Sequence, residues 1–176
     1  RGNLGCETDA ALDAMGPDYV AVVVPCAPAS GRITVGGYMQ VNGTILNKTE
    51  VALDPKTPIQ DAQVTELFLK QTKYRVASLY MKDLSLGKDH LVQKIKEYAA
   101  SGTKIIICDA ITQEDIDLLS DSVIASEIKF IAVDPGAFIA TLTQKMILPG
   151  EARHSQKILT VVGSVNPVAK VQMENL

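Results

Sequence analysis

Four short segments carry the residues that could do chemistry. The first, Pro25 to Arg32, is rich in Pro and Gly and ends in a cation that could hold a carboxylate through two parallel N–H bonds, or simply be a solvated turn residue. Asp109-Ala110-Ile111-Thr112 and Asp134-Pro135-Gly136 each place a carboxylate just before a helical pattern, where an Asp serves either as a cap or as a ligand for hydroxyls. Gly163-Ser164-Val165-Asn166-Pro167 could cradle a phosphate, but it lacks the Lys and the glycine spacing of a P-loop. The glycine at 136 opens a helix whose first N–H groups could face an anion. Neither His90 nor His154 has a metal-ligand spacing, and both are expected at the surface, with no metal site. No Ser-His-Asp order, nucleophile elbow or dinucleotide fingerprint occurs. No catalytic residue is assigned.

All four segments follow apolar, β-branched runs. Residues 18–25, 75–80, 104–108, 129–133 and 157–162 read as strands, the first a continuous run suited to a strand covered on both faces. Between them, 61–71 and 90–100 show helical spacing, and Thr112 caps a third helix with acidic residues in its first turn. Further helices are expected over 137–146 and 168–176. This alternation predicts an α/β fold, a three-layer α/β/α arrangement with a mostly parallel sheet. One stretch departs from it. Residues 32–47 alternate and contain Gly36-Gly37 and Asn42-Gly43, which predicts a protruding β-hairpin. Asp54-Pro55 and Thr57-Pro58 make a stiff connector into the next helix. In such sheets ligands sit beyond the carboxyl ends of the strands, where the four segments lie.

The chain has 176 residues, 47% hydrophobic and 21% charged, enough for a sizeable core and too apolar for disorder. A net charge of −3, 5% aromatics and no Trp argue against a nucleic-acid partner. No apolar run is long enough to span a membrane. Three widely spaced cysteines, Cys6, Cys26 and Cys108, read as reduced thiols in a cytoplasmic setting, and two Asn-x-Thr sequons do not outweigh that. The chain opens on Arg1-Gly2-Asn3 without Met and closes inside a helical pattern, as expected for a piece of a longer protein.

Together these segments resemble the four-carbon acid sugar kinase family. Its Pro-Ala-Phe-Pro-x-x-Gly-Arg-x-Thr segment stands here as residues 25–34, followed by Gly37 and Val41-Asn42-Gly43. Its Asp-Pro-x-x-Pro is 54–58, and its Asp-Ala-x-Thr-x-x-Asp is 109–115. Arg1-Gly2-Asn3 is similar to the tail of a further family motif, and 162–167 with Gln172 to the opening of its nucleotide-binding domain. The departures are Cys26 and Ala27 for Ala-Phe, Asp134-Pro135-Gly136-Ala137-Phe138 for Gly-Ser-x-Gly-Leu, and Asn166 for a second Ser.

The resemblance implies that residues 1–150 are the latter part of an N-terminal sugar-acid-binding domain. Residues 151–176 would be a linker and the first strand and helix of a C-terminal nucleotide-binding domain. It implies an ATP-dependent kinase acting on a threonate, erythronate or oxo-tetronate, with ATP and Mg²⁺ held mainly by that C-terminal domain. The implied substrate contacts are Arg1, Arg32, Thr34, Asp109, Asp134 and Gly136, the two arginines as carboxylate clamps and the aspartates on hydroxyls. The implied nucleotide contacts are Gly163, Ser164 and Asn166. This stretch alone is expected to transfer no phosphate. Two alternatives stand beside that reading: a sugar-acid sensor that has lost kinase activity, favoured by the departures at 134–136 and 166, and a homo-oligomerising domain that associates through the ribbon.

Overall fold

The computed structural model describes residues 2–53 and 58–147. Four strands, β1 (Tyr19–Val23), β5 (Val76–Leu79), β6 (Ile105–Cys108) and β7 (Lys129–Val133), form a parallel sheet in the order β5-β6-β1-β7. The register sets Ala21 opposite Ile105 on one side and Ile131 on the other. The β-branched run of β1 is continuous because both of its faces are buried. Val20, Val22 and Val24 face one layer, and Ala21 and Val23 face the other.

On the first face lie α4 (Lys88–Ala100), α5 (Gln113–Ser126) and α6 (Ala137–Met146), which contribute Leu91, Ile95, Ile116, Leu119, Val123, Phe138 and Leu142. On the second lie α1 (Leu4–Met15) and α2 (Val64–Leu69), through Leu12, Val64 and Phe68. The expected three layers are present. So is the Thr112 cap: its hydroxyl accepts from Asp115 N at 3.3 Å, and Asp115 accepts from Thr112 N at 3.0 Å. A short helix, α3 (Met81–Leu84), follows β5.

Between β1 and α2 the chain builds a second, antiparallel sheet of β2 (Arg32–Val35), β3 (Tyr38–Val41) and β4 (Thr44–Ile45). Both of its turns have two successive positive φ angles, +60° and +81° at Gly36-Gly37 and +50° and +76° at Asn42-Gly43, the pattern that twists with a hairpin. The ribbon stands outside the main sheet as expected, but its first turn is tied down. Gly36 and Gly37 donate to Asp109 at the end of β6, and Thr34 N donates to Ala110 O at 3.0 Å. A separate pairing with the ribbon explains why α2 begins at Val64 and not at 61. Residues 62 and 63 pair with the ribbon (Met39 N to Ala62 O, 2.9 Å; a bridge between Tyr38 and Gln63) and stay extended, and Val64 N, at the start of α2, donates to Gly37 O at 2.9 Å.

The helix over Leu4–Met15 is not anticipated from the sequence. Its buried face includes Gly5, Thr8 and Asp9, which blur the apolar period. Asp9 is satisfied there by the Thr72 hydroxyl and by Lys73 N at 2.9 Å. The expected strand at 157–162, the helix at 168–176, the connector at 54–57 and the boundary near 150 lie outside the described residues.

Candidate functional site

The chain leaves β1 toward β5 by way of α2 on the second face, and leaves β7 into α6 on the first face. Adjacent strands whose connections depart to opposite faces leave a crevice at their carboxyl ends. A cavity of about 370 Å³ lies there. Its floor is Val23 at the end of β1 and Pro25 beyond it, with Val133 at the end of β7 and Asp134 and Pro135 beyond it. The ribbon supplies Arg32, Met39 and Val41 as one wall, and α1 and α2 supply Leu4, Val64, Leu67 and Phe68 as the other.

The lining is apolar apart from Arg32 and Asp134. Arg32 is exposed and held by its backbone, which exchanges hydrogen bonds with Ala27 at 2.9 and 3.2 Å across the Pro28–Ser30 turn. Asp134 is half-buried. Its Oδ2 accepts from Gly136 N and Phe138 N, both at 2.7 Å, and from Ile139 N at 3.3 Å. All three bonds fall on one oxygen.

These bonds correct one expectation. The first N–H groups of α6 do not offer themselves to an anion, because the protein's own carboxylate already fills that position and would repel a second negative charge. Gly136, with φ +128°, serves that turn, where a side chain would be strained.

Asp109 has a different environment. It is 1% exposed, and its oxygens accept from Gly36 N (2.7 Å), Gly37 N (2.9 Å) and Met81 N (3.1 Å). Burial pushes its carboxyl above the ordinary value. The three amides act in the opposite direction, and nearby Asp83 reinforces the rise. With these bonds on its two oxygens, Asp109 is a structural tie, and it does not line the cavity. Thr34 also turns away from it: the side chain is fully buried, its hydroxyl 3.3 Å from Cys26 Sγ. Of the six substrate contacts implied by the sequence, the structure brings Arg32 and Asp134 to one cavity, with Gly136 shaping the Asp134 turn. Arg1, Gly163, Ser164 and Asn166 lie outside the described residues, as does His154.

His90 is not a free surface residue. It is partly covered, with Nε2 3.4 Å from Asp83 Oδ1. No group of three or more metal-ligating side chains occurs among the described residues, and no described helix is long and apolar enough to cross a membrane. The starts of α5 and α6 are filled by Asp115 and Asp134. No described residue is assigned to a triphosphate or to Mg²⁺. The arrangement suits a small hydroxy acid, with its carboxylate on the guanidinium and a hydroxyl on Asp134. The sequence missed the apolar wall. Val64, Leu67 and Phe68 carry a helix-spaced signal that reads equally well as core.

Residues 1–142 match the family described as a sugar-binding N-terminal domain. The chain belongs to that family. It is 38% identical to a D-erythronate kinase of Heliobacterium modesticaldum over 174 residues, which is 99% of this chain and 40% of that protein. It is 31% identical to a D-threonate kinase of Salmonella typhimurium over 175 residues, again 99% of this chain and 40% of the relative. The chain thus spans about two fifths of the length of these curated relatives. Among solved structures, a Haemophilus influenzae protein from a domain family of unknown function superposes with a TM-score of 0.70 at 25% identity, over 78% of this chain and 32% of that one. The sugar-binding domain is therefore present in an α/β form shared with that neighbour.

Proposed function

We propose that this chain is the acid-recognising part of an ATP-dependent kinase that phosphorylates a hydroxyl of a four-carbon sugar acid such as erythronate or threonate. One observation carries the reading: Arg32 and Asp134, from the ribbon and from the end of β7, line one cavity at the carboxyl edge of the sheet. A four-carbon acid presents one carboxylate and several hydroxyls, which these two groups complement. The names of the two kinases above support the same class.

In this reading a substrate hydroxyl oxygen attacks the γ-phosphorus of ATP. The bond to the ADP oxygen breaks, and the hydroxyl proton is released. Residues 1–150 then belong to the substrate domain. The nucleotide and Mg²⁺ are held elsewhere in the longer protein, with 163–166 contributing to that part, in the cytoplasm. Such transfer depends on positioning and charge neutralisation more than on covalent chemistry from the protein. The task of this domain is to hold the acid still.

The test is a coupled ADP-release assay on the longer protein with Mg-ATP and a panel of four-carbon sugar acids and their oxo forms. Turnover of one of them is expected. Silence across the panel, with thermal stabilisation by one acid, would replace the kinase with a sensor. Silence in both measurements would overturn the substrate class.

A further inference from the structure

A carboxylate taken from water is strongly destabilised unless hydrogen bonds replace its hydration. Asp109 meets that condition with three backbone N–H groups, from Gly36, Gly37 and Met81. None of these donors belongs to its own turn. Two come from the first turn of the ribbon, and the third comes from the start of α3, just after β5. One side chain thus joins the ends of β5 and β6 to the ribbon. The neighbouring backbone continues the seam, with Thr34 N donating to Ala110 O.

The ribbon strands that meet at this turn carry Arg32 on one side and Met39 and Val41 on the other, all of which line the cavity. We propose that Asp109 is a positioning residue for acid recognition: by holding the Gly36–Gly37 turn on the carboxyl edge of the sheet, it fixes the ribbon and with it the Arg32 guanidinium. The ligand in this proposal rests on the kinase reading above, whereas the tie itself does not. Asp109→Asn is the sharp probe. It keeps the side-chain length but turns one acceptor oxygen into an NH₂ that faces a backbone N–H.

The experiment compares wild type, Asp109→Asn, Arg32→Ala and the double variant in the longer protein. It reads KM for the acid, KM for ATP, and amide hydrogen exchange at Gly36, Gly37 and the β1 strand. In Asp109→Asn, exchange at Gly36 and Gly37 should speed up by at least about tenfold while β1 stays protected, since only a local opening is made easier. KM for the acid should rise by about tenfold with KM for ATP unchanged, and the double variant should lose no more than Arg32→Ala alone, because the two act through one contact.

Additive losses would overturn the proposal, since Asp109 would then act apart from Arg32. Unchanged exchange at Gly36 and Gly37 would overturn it as well. Should Asp109→Asn fail to fold, Gly37→Ala disturbs the same turn without touching the charge, because its Cβ would meet the Tyr80 ring at 3.3 Å with φ at +81°. A raised KM for the acid is expected there too, and an unaltered one contradicts the proposal. If wild type turns over no acid, the functional reading falls and takes the recognition role with it, and the exchange comparison still decides whether Asp109 holds the turn.

Discussion

Asp109 and Asp134 are both carboxylates at strand ends, and the difference between them lies in their partners. The partners of Asp134 are two to five residues away, so its capping role was open to a reader of the sequence. The ribbon partners of Asp109 are 72 and 73 residues away, and no local pattern could announce them. Asp134→Ala should lower the stability by about 1 kcal/mol, the usual cost of a lost helix cap, and so bring the urea midpoint down; an unchanged midpoint would mean that α6 does not need it. The thiols divide the same way. Cys6 is exposed, whereas burial pushes Cys26 up to about 11 and Cys108 higher still. Iodoacetamide at mildly alkaline pH should therefore modify Cys6 alone in the native protein and all three thiols in urea, as read by peptide mass. Rapid native labelling of Cys26 would contradict its burial. The placement of Cys108 was legible because it closes an unbroken apolar run, Ile105 to Cys108, and only a covered strand tolerates one.

At the scale of elements, the ribbon was readable from its two turn dipeptides and its docking was not. Gly-Gly and Asn-Gly specify the backbone of the turns, whereas the tie to β6 depends on a side chain from another segment. The late start of α2 follows from a second ribbon contact, since residues 62 and 63 pair with Tyr38 and Met39 before the chain coils. Asp109 also gives the ribbon's seat a pH signature. Its folded pKa lies above the ordinary 3.8, so just above that pH the folded protein keeps a proton that the unfolded chain has released. Rising pH then removes stability until the folded group has ionised as well. Asp109→Asn lacks this contribution. The stability difference between wild type and variant should therefore move in the variant's favour as pH rises through the carboxylate range, measured by urea unfolding at a series of pH values. A difference that is flat would mean that the amides balance burial, and one that moves the other way that they outweigh it.

For the molecule as a whole, the strand order puts β1 between β6 and β7, and the opposite departures from β1 and β7 open the crevice. Alternating strand and helix patterns were enough to foresee the layers, because burial on both faces leaves a strong mark on a sequence. The order of strands leaves no such mark, and the cavity's apolar wall looks like ordinary core until the layers are assembled. A sugar-binding domain with one cation and one carboxylate in an otherwise apolar crevice has a simple division of labour. In the proposed reading the walls exclude water and Arg32 recognises the acid. Calorimetric titration of erythronate and threonate into the longer protein, wild type against Arg32→Ala, tests this most directly. Binding to wild type is expected to weaken by about 1.5–3 kcal/mol, at least tenfold, when the charge-assisted contact is lost. Affinities for both acids within twofold of wild type in Arg32→Ala would contradict it.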